Sequence, residues 1–312
     1  MELTHSDVKA AAERVAGLVR PVAMAQADHT GELWLALEFL QHTGSFKARG
    51  ALNFLLTHRE NGTLAPVGVT IASGGNAGLA CAWAARSQGV PATVFLPTTA
   101  PRVKVDRLAS YGADVRLVGT QYADALAASR DFADATGALL SHAYDNPLIA
   151  AGAGTLMTEI HERIPNLDTV VVAVGGGGLF SGVATAAAHY GVRTVAVEPV
   201  RCHALHAAIA AGEVVDVEVD SVAADSLGAR RAAEMALTAA RRYEVDSLLV
   251  DDAAIIDARR GLWEERRLAV EHGAATALAA VLAEKPAFRP APGERVCVVL
   301  CGANTDPSDL AR

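Results

Sequence analysis

Short apolar runs alternate with longer Ala-rich stretches of helical period along most of this chain. The runs are GVTIAS (68–73), ATVFLP (92–97), DVRLVG (114–119), ALLSH (138–142), TVVVAV (169–174), TVAVE (194–198), SLLV (247–250) and RVCVVL (295–300). Each is strand-like in length and composition. AGLACAWAARSQ and YADALAASRDFADA, lying between them, read as helices. The succession predicts an α/β fold with two open, twisted, mostly parallel sheets flanked by helices.

Three loops rich in small polar residues follow the strands ending at 73, 174 and 300. They form one site only if the fold brings them together. A division into a smaller unit at 63–145 and a larger one from 1–62 plus 146–312 achieves this, with the ligand between the two at the carboxyl ends of strands.

Composition narrows the function classes. A net charge of −8 without a basic cluster argues against a nucleic-acid or anionic-membrane partner. No apolar run approaches a membrane span. The start, MELTHSDVKAAAERVAG, is an amphipathic pattern with Thr4 or Ser6 as N-cap and not a signal peptide. Cys81, Cys202, Cys297 and Cys301 form no C-x-x-C pair, as expected of buried thiols in a cytoplasmic protein. WEERRLAVEH (263–272) mixes signs and reads as a solvated helix face.

The chemistry lies in the loops. VVVAVGGGGLFSG runs a strand into Gly175, Gly176, Gly177 and Gly178, with a helix starting near Leu179. Bare backbone there lets several N–H groups converge on an anion at a helix N-terminus, though a flexible turn has the same composition. Glu198 follows Gly178 by 20 residues, where a dinucleotide fold places its ribose acid. No register gives G-x-G-x-x-G, however, and no Walker lysine follows, so the loop suits one phosphate monoester. In ASGGNAG, Ser73, Gly74, Gly75, Asn76 and Gly78 open a helix with donors fit for a carboxylate or phenolate oxygen, though an N-cap with turn glycines has the same composition. LCGAN ends a buried strand with Cys301 and Asn304.

Lysine occurs only four times, at Lys9, Lys47, Lys104 and Lys285, while arginine carries nearly all positive charge. In TGSFKARG, Lys47 sits among small and apolar neighbours. Taken alone it is an ordinary cation. Beside a phosphate cradle and an oxyanion loop, it is a lysine whose neutral amine can attack a carbonyl.

Taken together, TGSFKARGA, ASGGNAG, HAYDNPLIAAGAGTLMTEI, VGGGGLFSG, VAVEP, ADSLGAR and LCGAN resemble, in order, the motifs of a known family. It is the fold-type II (tryptophan synthase β-like) pyridoxal-phosphate enzymes, in the serine/threonine dehydratase and serine racemase branch. The resemblance implies a pyridoxal 5'-phosphate cofactor between the two units, held covalently by Lys47, which also serves as base at the substrate Cα. Phe46 is expected against the pyridine ring, Asn76 at its phenolic oxygen and Cys301 at its nitrogen. Gly175, Gly176, Gly177, Gly178 and Leu179 are expected to cradle the phosphate. Ser73, Gly75, Asn76 and Ala77 are expected to bind the substrate carboxylate.

The implied activity is a dehydratase (ammonia-lyase) turning L-threonine and/or L-serine into a keto acid and ammonia. Amino-acid racemisation or β-replacement on the same scaffold are the alternatives, and a silent binding protein is a more distant one. Gly74 stands where racemases of the branch carry a serine, which speaks against racemisation. Glu198 matches a cation-binding acid of the branch, but Ala204 replaces its partner, so no metal is expected. Ala153 replaces a common Gln and Tyr144 lies near the implied pocket, so the side-chain preference is expected to differ. A chain ending at Arg312 leaves no room for a regulatory domain, so feedback by isoleucine is not expected. A homodimer is the expected assembly.

Overall fold

The computed structural model describes residues 2–310, so Met1 and the last two residues of the 146–312 unit lie outside it. Among the described residues, ten strands form two sheets. They are β1 (Met24–Gln26), β2 (Leu33–Ala36), β3 (Val69–Ala72), β4 (Ala92–Leu96), β5 (Asp114–Leu117), β6 (Leu139–Leu140), β7 (Thr169–Ala173), β8 (Arg193–Pro199), β9 (Asp246–Val250) and β10 (Val296–Val299). The larger sheet has the order β1-β2-β10-β7-β8-β9 and the smaller β5-β4-β3-β6. Every pairing is parallel except β1 with β2.

All eight apolar runs are strands, and the α/β class with two mostly parallel sheets is as expected. β7, β8 and β10 are almost wholly covered, which accounts for their unbroken Val-rich composition. β1 and β2 were not foreseen. They are short, partly exposed elements: β1 is the edge strand and pairs with β2, which in turn pairs with β10. Thr4 caps the helix His5–Val15 in a reciprocal box with Asp7.

Helix Pro147–Arg163, capped by Asn146, carries the AAGAGT run and fixes the relation between two site-bearing helices. A Cβ on Gly182 would lie 2.1 Å from Ala150 O, and one on Gly152 would lie 2.7 Å from Arg49 O. Only glycine permits these backbone contacts. They seat Gly178–His189, headed by the glycine loop, and Lys47–Glu60, headed by Lys47, on one support.

One sequence expectation fails here. WEERRLAVEH is not a single solvated helix face. Helix Asp252–Arg266 stops at Arg267 (φ +57), and the chain then turns inward to place Glu271, 6% exposed, at the next helix start.

Candidate active site

Lys47 occupies the first position of helix Lys47–Glu60, where the preceding backbone is pinned to the end of β10. Phe46 N–H donates to Cys301 O at 3.0 Å, and Ser45 bridges to Gly302. The Lys47 ammonium lies 4.8 Å from the Phe46 ring centroid and donates to Ala143 O at 3.0 Å. Burial pulls its pKa down to about 8, with the nearby Cys301 and Glu271 side chains opposing the shift. An amine so placed is readily neutral, as a nucleophile or base must be.

The Cys301 thiol is pushed up to about 12, first by burial and then by the Glu271 charge, so it is a neutral group near neutral pH. Ser73, Gly74 and Gly75 lead from β3 into helix Asn76–Ser87, and Ser73 Oγ accepts weakly from Gly75 N–H at 3.4 Å. Ala77 lines a small cavity together with Lys47, His142 and Ala143. A larger cavity of about 350 Å³, beside Leu3 and Arg242, includes none of the predicted site residues in its lining.

Asn76 is held from both ends. Its Nδ2 donates to the two carboxylate oxygens of Glu271 at 2.8 and 3.1 Å, and its Oδ1 accepts from Asn304 Nδ2 at 2.6 Å. Burial raises the Glu271 pKa, opposed by the hydrogen bonds from Asn76 and the Asn304 backbone. Glu271 is a site residue that the sequence reading missed. The available signal was an acid isolated between AV and an Ala-rich run.

In the glycine loop, Gly177 adopts φ +97 and the backbone N–H groups of Gly175 to Phe180 find no protein acceptor among the described residues. The helix starts at Gly178, one residue before the predicted point, so the unpaired donors sit at its positive end. The glycines have a second reason that the sequence did not disclose. A Cβ on Gly176 would lie 2.3 Å from the Tyr144 ring, and one on Gly178 would lie 2.8 Å from Tyr144 O. Tyr144 follows Ala143, the acceptor of Lys47, so residues 143–144 connect the lysine to the loop.

Consecutive unpaired donors at a helix start, an amine of lowered pKa and a neutral thiol fit a phosphorylated aldehyde with a ring nitrogen. Residues 13–302 match the sequence profile of the pyridoxal-phosphate-dependent enzymes. The chain belongs to that family. It is 35% identical over 316 residues to L-threonine ammonia-lyase of Geobacter sulfurreducens, covering 99% of this chain and 77% of that protein. It is 32% identical to serine racemase of Oryza sativa over 279 residues, covering 88% and 81%. Its fold superposes on maize serine racemase with a TM-score of 0.90 at 29% identity, covering 100% of this chain and 96% of that one. As a member of the family, the chain is a pyridoxal-phosphate enzyme.

Glu198 is hydrogen-bonded to backbone. Its buried carboxylate accepts from the N–H groups of Leu205 and His206 at 2.9 and 2.7 Å, and burial raises its pKa to about 8. Among the described residues, no group of three or more His, Cys, Asp and Glu side chains is placed to hold a metal, and no helix is long and apolar enough to cross a membrane.

Proposed function

We propose that this chain is an ammonia-lyase that converts L-threonine to 2-oxobutanoate, and L-serine to pyruvate, with release of ammonia. Its likeness to an L-threonine ammonia-lyase over 99% of its length supports the reading. The observation that carries it is the Lys47 amine, lowered to about 8, between the neutral Cys301 thiol and the oxygen-binding loop. When bound, the cofactor supplies an electron sink for the bonds at the substrate Cα.

The chain's residues do the rest. Lys47 would hold the cofactor through Nζ, and the same nitrogen would take the substrate Cα proton. Backbone N–H groups from Gly175 to Leu179 would hold the phosphate, and Phe46 would pack beside the ring. Ser73 with the backbone of Gly75, Asn76 and Ala77 would orient the substrate carboxylate, while Asn76 would also hold the cofactor's oxygen. Cys301 would give the ring a neutral partner. Residues 63–145 form the smaller unit and 1–62 with 146–312 the larger. The protein works as a cytoplasmic homodimer.

Racemisation needs a proton carrier on the face opposite Lys47. At Gly74 there is no hydroxyl, and the place of a Cβ is crowded by Leu96 Cδ2 at 3.1 Å. Keto acid from L-threonine and L-serine, measured beside D-serine on a chiral assay, tests the reading. Keto acid is expected in large excess. D-serine formed as fast as pyruvate would favour the racemase reading, and no product from either amino acid would remove the lyase.

A further inference from the structure

Arg107 lies on the exposed side of helix Arg102–Ser110, which packs beside the smaller sheet. Its Nη2 donates to Asn304 Oδ1 at 2.5 Å, so a guanidinium meets a neutral amide across the two sheet units. That contact fixes the rest of the Asn304 side chain. With Oδ1 engaged, Nδ2 faces the other way and donates to Thr43 O at 2.7 Å and Asn76 Oδ1 at 2.6 Å. The Asn304 backbone N–H donates to Glu271 Oε1 at 2.8 Å.

Both recipients matter to the site. Thr43, four residues before Lys47, has φ +63, a left-handed conformation that β-branched residues rarely adopt, and its buried hydroxyl has no partner among the described residues. Such a turn persists only where its surroundings hold it. Asn76, the other recipient, is thereby kept with its nitrogen toward Glu271. Lys104, one turn before Arg107, adds a second link across the units by pairing with Asp225 at 3.3 Å.

We propose that Arg107 is a positioning residue: acting through Asn304, it sets the turn that presents Lys47 and the orientation of the Asn76 amide. The proposal rests on the reading that these two residues hold the cofactor. Because Arg107 is exposed, its replacement leaves the core intact, and cofactor binding can be measured without substrate.

The test compares the unsubstituted chain with Arg107→Ala and Arg107→Lys. Pyridoxal phosphate affinity, the pH at which bound-cofactor absorbance changes, and the cofactor-free melting point are recorded for each. Arg107→Ala is expected to bind cofactor roughly 5-fold more weakly, the scale of one lost hydrogen bond. Its absorbance transition should shift in pH, its cofactor-free melting point should match the parent, and Arg107→Lys should recover most of the affinity. Affinity and absorbance transition of Arg107→Ala equal to the parent would overturn the role. So would a fall in cofactor-free melting point large enough to account for the weaker binding. Failure of the unsubstituted chain to bind would overturn the underlying reading as well, so the two failures are distinguishable.

Discussion

Lys47→Ala is expected to lower keto-acid release by about 10³-fold or more at saturating cofactor, since the proposed function makes one amine both the covalent link and the base. Lys47→Arg should lose as much. A guanidinium keeps the charge but does not give up its proton, so it neither attacks an aldehyde nor accepts the Cα proton. Comparison of the two separates charge from proton transfer. The proposed phosphate donors are backbone groups from Gly175 to Leu179, which neither substitution alters, so both variants should still bind cofactor reversibly. Turnover within tenfold of the parent in either variant would exclude Lys47 as the base.

The second large effect is on stability. Arg49, two residues after Lys47, is fully buried between two carboxylates. Its Nε donates to Glu38 Oε1 at 2.6 Å and its Nη1 to Glu159 Oε1 at 2.6 Å. Further bonds reach Thr155 Oγ1 at 3.1 Å and Arg20 O at 3.3 Å. Arg49→Met leaves Glu38, 1% exposed, without its counter-charge, and should cost about 3–5 kcal/mol.

The pH dependence of that loss has a defined sign. Burial already raises the Glu38 pKa, with Arg49 opposing it, so removing Arg49 raises it further. A carboxyl whose folded pKa lies above its unfolded value loses stability as pH rises through that interval. The deficit of Arg49→Met should therefore be smallest in acid and grow toward neutral pH. Glu38→Gln added to Arg49→Met should recover part of it. Denaturant unfolding without cofactor, at several pH values, reads both effects, and a deficit under 1 kcal/mol at neutral pH would contradict the account.

The sequence disclosed those parts of the site whose chemistry is local. Gly175 to Gly178 and the ASGGN run are legible because a backbone that must present donors leaves a composition behind. Lys47 stood out because lysine is so scarce elsewhere in the chain. Runs such as those of β7, β8 and β10 are legible because a strand covered on both faces needs no partner to explain its residues. β1 and β2 are different, being short elements held by pairing, β1 to β2 and β2 to β10. Glu271 was hidden because the turn at Arg267, which carries it inward, has no glycine to mark it. Arg107 and Asn304 lie 197 residues apart, and nothing in either segment specifies the other. Tyr144 was placed near the pocket by resemblance, yet its contact with Gly176 needed the fold.

The central claim is that Lys47 carries the cofactor. Borohydride reduction of the purified, cofactor-loaded protein, followed by peptide mapping, tests it most directly. The account predicts a single pyridoxyl adduct, on the peptide containing Lys47. An adduct on Lys9, Lys104 or Lys285 in its place would contradict it.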